Sequence, residues 1–310
     1  MGQVSRKLKK YILGIALGIA LMCGKESYAQ YNREYFFWVG RSCMMNNDYQ
    51  EAIRTLNTLL RFDEDAFEGY FLRGIAKYNL DDLLGAEADF STAIRLNPVY
   101  TQAYTYRAIT RSRLGNYDDA LQDFREAIDL RPDLPGPYYS RGVTRLLNQQ
   151  FKEAIDDFDK FIRQENKVAD AFICRGLSYL HLKDTVRAYD NFNTAIRTNR
   201  ENPGGYNRRG GLYMEQKRFA EAEADFNKAI ECDSAYLLSY FNRALVYNAT
   251  NRPMQALADF DKVIQLDSTN SLTYFNRAML RTQIGDYNHA LEDYDKVALY
   301  SPNNVLVYYN

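Results

Sequence analysis

The sequence predicts an all-α fold, a solenoid of stacked helix-turn-helix units, and three observations predict it. A 34-residue period runs without insertion or deletion from Arg33 to Asn304. Ala52, Ala86, Ala120, Ala154, Ala188, Ala222, Ala256 and Ala290 mark one phase of it. Inside each unit, apolar residues recur at three- and four-residue steps in two successive stretches, the spacing of one helix face. Turn formers part the two stretches, as in Asn46-Asn47-Asp48, Gly115-Asn116, Asn251-Arg252-Pro253 and Gly285-Asp286. Eight units follow at 33–66, 67–100, 101–134, 135–168, 169–202, 203–236, 237–270 and 271–304. None is large enough to bury its own apolar face, so each must stack on its neighbours.

The first element is of another kind. Arg6, Lys7, Lys9 and Lys10 precede an apolar run from Tyr11 to Gly24, followed by Ser27-Tyr28-Ala29. A basic start, a short apolar run and a small-x-small site predict a secretory signal peptide over 1–29, cut before Gln30. The run is shorter than the ~20 residues of a spanning helix, so no membrane span is expected after cleavage. A lipid anchor on Cys23 is disfavoured, because Met22 fills the place a bacterial lipobox gives to a small residue. Residues 1–29 hold five basic groups and one acidic group, so cleavage moves the formal charge from −1 to −5. A mildly acidic chain argues against a nucleic-acid partner. Cys43, Cys174 and Cys232 remain, at three different phases, and read as separate thiols instead of a repeated disulfide framework.

The unit 101–134 shows why each repeat forms a hairpin. Ala103, Tyr104, Arg107, Ala108, Arg111 and Leu114 lie on one helix face, and Gly115-Asn116 ends that helix. Ala120, Leu121, Phe124, Ala127 and Ile128 form the face of a second helix, closed by Arg131-Pro132. A short turn between them makes the pair antiparallel. In unit seven, Pro253 suits the first turn of the second helix, where its missing N–H costs nothing.

These residues resemble the tetratricopeptide repeat family. Position four of each unit is aromatic (Phe36, Tyr70, Tyr104, Tyr138, Phe172, Tyr206, Tyr240, Tyr274), and position eight is Gly or Ala. Position twenty is Ala throughout, and position twenty-four is Phe90, Phe124, Phe158, Phe192, Phe226, Phe260 or Tyr294, with Leu56 in the first copy. The closing Pro survives as Pro98, Pro132 and Pro302. The resemblance implies a right-handed superhelix that binds proteins or peptides along a concave face built from the first helices.

Two departures from that family carry information. Position seven, usually apolar, is Arg in seven units, and position twenty-three is Asp in six. Antiparallel helices bring these positions side by side. The sequence thus predicts an Arg–Asp ladder of Arg73 with Asp89, Arg107 with Asp123, Arg141 with Asp157, Arg209 with Asp225, Arg243 with Asp259 and Arg277 with Asp293. Asn191 faces Arg175 instead, and the first unit loses both charges as Val39 and Thr55. The second departure is an aromatic and apolar inner face. By the family's positions, Phe37, Trp38, Phe71, Tyr106, Tyr139, Ile173, Phe241 and Phe275 are the expected partner-binding residues. Packing between repeats is the alternative role for the same side chains. A carboxylate clamp is not expected, because Arg208, Asn242 and Asn276 lack its lysines.

No catalytic site, metal site or cofactor is expected. His181 and His289 have no second His or Cys at i+3 or i+4, and no phosphate-binding glycine loop or nucleophile elbow occurs. Pro203-Gly204-Gly205 and Gly210-Gly211 in unit six suit either a joint or close backbone packing. Residues 305–310 read as the start of a ninth unit, with Tyr308 at position four and no polar cap. This reading expects a longer protein and an apolar end open to self-association. The resulting expectation is an exported scaffold in a bacterial periplasm or envelope, holding a peptide or partner helix. A sensor module for a missing output domain and a glycan-handling envelope protein are the alternatives.

Overall fold

A computed structural model describes residues 25–301, with side chains from residue 33 onward. Most of the predicted leader (1–24) and the start of the ninth unit (305–310) lie outside the described residues. Sixteen helices fill the described part, two per unit. The first helices of the eight units are α1 Lys25–Met45, α3 Phe67–Asn79, α5 Thr101–Arg113, α7 Pro135–Leu147, α9 Ala169–His181, α11 Pro203–Glu215, α13 Leu237–Ala249 and α15 Ser271–Gln283. The second helices are α2 Tyr49–Phe62, α4 Leu83–Leu96, α6 Tyr117–Leu130, α8 Phe151–Gln164, α10 Thr185–Thr198, α12 Phe219–Cys232, α14 Pro253–Leu266 and α16 Tyr287–Tyr300. The longer α1 passes unbroken through Ala29-Gln30.

The turn inside each unit is set by one residue. Asn47, Asp81, Gly115, Gln149, Lys183, Lys217, Asn251 and Gly285 all sit at position fifteen, with φ between 57° and 84°. This left-handed residue ends the first helix and reverses the chain. Two residues later the second helix begins, and Asp48, Asp82 and Asp184 cap it by accepting from the backbone N–H of Glu51, Gly85 and Arg187.

Close packing follows from the small residues at position eight. A Cβ added to Gly74, Gly176 or Gly210 would lie 2.6–2.8 Å from the ring of Phe90, Phe192 or Phe226. Those rings, with Phe124, Phe158 and Phe260, are the largest fully buried side chains. A backbone without a side chain leaves room for a ring from the facing helix, which restores interior density. The alanines at position twenty are almost wholly buried for the same reason.

The chain divides into two compact units at Thr144/Arg145, inside α7. In the first unit α1 to α6 pack each on the next; in the second α8 to α16 do so. Within each, first helices also touch the first helices of neighbouring repeats, α1 with α3 and α3 with α5, and α9 with α11 and α11 with α13. Both units are therefore all-α solenoid segments with the first helices in the tighter layer. In repeat six α11 is continuous, and Gly205 and Gly210 back directly onto Ile196 and Phe226.

Candidate protein-binding surface

The Arg at position seven emerges from the middle of a first helix toward the second helix of its own repeat. Arg73 Nε and Nη2 donate to Asp89 at 2.8 and 2.6 Å, a two-point pair. Arg107 with Asp123, Arg209 with Asp225, Arg243 with Asp259 and Arg277 with Asp293 repeat it. The carboxylates are buried, and the planar guanidinium fork matches them edge to edge. The hydrogen bond to Asp259 is the main reason that the Arg243 guanidinium is held above its ordinary pKa. Arg141 and Asp157 are both buried.

Two further partners were not legible from the spacing of positions seven and twenty-three. The third guanidinium nitrogen reaches back to the preceding repeat: Arg73 to Asn57, Arg107 to Ser91, Arg209 to Asn193 and Arg243 to Asn227, at 2.6–3.0 Å. Each such Arg therefore ties two repeats. Position twenty-five, mostly Asn, Asp or Ser, was the available signal. Where Asn191 replaces the aspartate, Arg175 keeps one bond to it and takes its carboxylate from Asp159 at that same position twenty-five.

A second cation stands at position eleven. Lys77, Arg111, Arg145 and Arg281 reach Asp89, Asp123, Asp157 and Asp293. Repeats five to seven have Tyr179, Tyr213 and Tyr247 there, each under an arginine: Arg187, Arg218 and Arg252 lie 4.4–4.7 Å from the ring centres. Arg252 also pairs with Glu223 of the preceding repeat and holds that carboxyl below the ordinary glutamate range. These charges fasten the repeats internally.

The expected partner-binding residues divide into two groups. Phe71 and Ile173 are buried, at 8% and 9% exposure, which corrects their assignment to an open face. Phe71 packs edge-on against Tyr100 and Tyr106, with ring centres 4.9 and 5.4 Å apart, so it joins repeats two and three. Ile173 packs with Phe172 and Ala195. Position five faces the next repeat more than the groove. Trp38 is open, at 68% exposure, while Phe37, Tyr106, Tyr139, Phe241 and Phe275 are half-buried. Arg41 lies over the Phe37 ring at 4.4 Å.

Position two also carries open apolar side chains. Leu238 and Leu272 are exposed there, and Met279 at position nine is 50% exposed. The two histidines are also accounted for. His181 stacks on Phe151 at 4.5 Å, and His289 pairs with Asp286. Cys43 and Cys232 are free thiols. Among the described residues no helix is long and apolar enough to cross a membrane.

Helical hairpins in register, closed by small residues and joined by recurring fastenings, make this chain an α-solenoid repeat scaffold, the class whose layered helices serve protein–protein contact. Family models match residues 111–149 as a TPR repeat, and 203–236, 237–270 and 272–304 as tetratricopeptide repeats. These parts of the chain are tetratricopeptide repeats. It is similar in structure to a tetratricopeptide repeat protein from Parabacteroides merdae (20% identity, TM-score 0.63, 78% of this chain and 96% of that one). The C-terminal part of a TPR repeat-containing protein from Cytophaga hutchinsonii matches with 22% identity and TM-score 0.56, over 76% of this chain and 97% of that one. A chain of the APC/C heterotetramer Cut9–Hcn1 matches with 11% identity and TM-score 0.64, over 88% and 54%. No curated protein matches the sequence.

Proposed function

We propose that this protein is an exported scaffold that holds a peptide or a partner helix along its layer of first helices. The observation that carries the reading is the uneven surface of that layer. In the second unit apolar side chains stand open on first helices at Leu147, Leu238, Leu272 and Met279, and in the first unit Trp38 stands open on α1, where a solvated wall would be polar. Leu238 and Leu272 stand one repeat apart, with Met279 on the same helix as Leu272, and open apolar anchors of this kind suit an extended or helical segment. Export is supported by the basic, apolar and small-x-small order of residues 1–29, and a bacterial envelope is the matching location.

An affinity capture with crosslinking from envelope extract tests this, with wild type beside a Trp38→Ala/Leu238→Ala/Met279→Ala variant. A protein held by wild type and released by the folded variant supports the reading. Equal capture by both would move the contact off this face. Mass spectrometry of the secreted or envelope-associated chain, with an N-terminus other than Gln30, would sink the proposed cleavage.

A further inference from the structure

In the first unit an open pocket lies at the junction of repeats three and four. Its lining is Thr101, Gln102, Thr105 and Tyr106 of α5, then Leu134 and, at the start of α7, Pro135, Gly136 and Pro137, and it offers about 280 Å³ open to solvent. Three consecutive departures from the repeat make it. Position two carries Glu34, Glu68, Gln102, Asp170, Leu238 or Leu272 elsewhere, whereas here Gly136 carries nothing, flanked by Pro135 and Pro137.

The second glycine at position two does not open a cavity in the same way. A Cβ on Gly204 would meet Asn202 and Ile173 at 3.0 Å, while a Cβ on Gly136 would meet nothing within 4 Å. Gly136 therefore faces free space, not a packed neighbour. Its lining holds no charged side chain, and the Thr105 hydroxyl is already spent on the Thr101 carbonyl at 3.0 Å. A charged occupant would lose its hydration without compensation. The volume lies at the lower edge of small-molecule pockets, which run from roughly 300 Å³ upward, so it fits a side chain better than a metabolite.

The geometry points to a pocket at Gly136 that receives one aromatic side chain of the bound segment, which rests on the peptide-binding reading above. The pyrrolidine C–H groups of Pro135 and Pro137 and the Tyr106 ring are all in the lining, and both kinds of group suit an aromatic ring, whose negative face meets C–H groups and whose edge meets another ring. The occupant is a Phe or Tyr of the partner, seated between the first turns of α5 and α7.

The test is protein-observed NMR on the full chain, titrated with N-acetyl-L-phenylalanine N-methylamide and, in parallel, with the lysine analogue. The expected result is saturating shifts at the amides of Thr101–Tyr106 and Gly136 with the phenylalanine probe, at least tenfold weaker with lysine. Gly136→Leu, which fills the space, abolishes them. Gly136→Ala, which lends similar helix stability but leaves most of the space, retains them. Shifts that do not saturate, or that persist in Gly136→Leu, overturn the pocket. The envelope capture separates the two readings: a partner lost by the Trp38 variant yet indifferent to Gly136→Leu keeps the scaffold and removes the pocket. Saturation by the probe without any captured partner does the reverse.

Discussion

At the residue scale, the decisive group is the Arg at position seven. A guanidinium on the middle of a packed helix is tolerable when each of its nitrogens is engaged, because an unpaired buried charge is far more costly than a paired one. Arg243 meets that condition with Asp259 and Asn227, at 2.6–2.7 Å, and stands over the Tyr240 ring at 5.5 Å. Removing one partner should expose this dependence. Arg243→Ala is expected to cost about 3 kcal/mol in a urea denaturation series. Asp259→Asn should cost less, since Asn191 already serves Arg175 in repeat five with one bond. A loss under about 1 kcal/mol for Arg243→Ala would reduce the pair to a solvated surface bridge.

At the element scale, the first helix of a repeat is positioned by what its small residues touch. Gly210 and Gly211 are neighbours in α11, and sequence composition treats them alike. A Cβ on Gly210 would press on Phe226 at 2.8 Å, whereas one on Gly211 would meet nothing within 4 Å. Gly210→Ala is therefore expected to lower stability by about 1–2 kcal/mol through overpacking. Gly211→Ala should raise it by about 0.5–1 kcal/mol through helix propensity. Thermal melts of the two variants give opposite signs if close approach governs this helix, and the same sign if it does not.

At the scale of the whole molecule, stability in a repeat array is a sum over repeats and their interfaces, so helices with the least packed surface open first. In the second unit, α16 presents Leu291, Leu299 and Tyr300 to solvent, where α12 and α14 lie against following helices. Hydrogen exchange should show amides of α15 and α16 opening at lower free energy than those of α11 and α12. Uniform protection along the second unit would mean it unfolds as one cooperative body.

The sequence by itself determined the hairpin and its period. A 34-residue repeat reports every internal contact many times over, and Ala, Phe and Arg at fixed phases leave few geometries that bury them. It also placed the Arg opposite the Asp, because antiparallel helices with a short turn fix that register. Only the tertiary structure decided which face each side chain serves. Phe71 and Trp38 are both aromatic residues in neighbouring phases of a first helix, yet one is buried between repeats and the other is open at 68%. The angle between successive hairpins separates them, and no single repeat encodes that angle. The inter-repeat arm from Arg73 to Asn57 and the free space at Gly136 depend on the same stacking. Contacts within a unit follow from its own spacing; contacts between units depend on how side-chain volumes settle against each other once stacked.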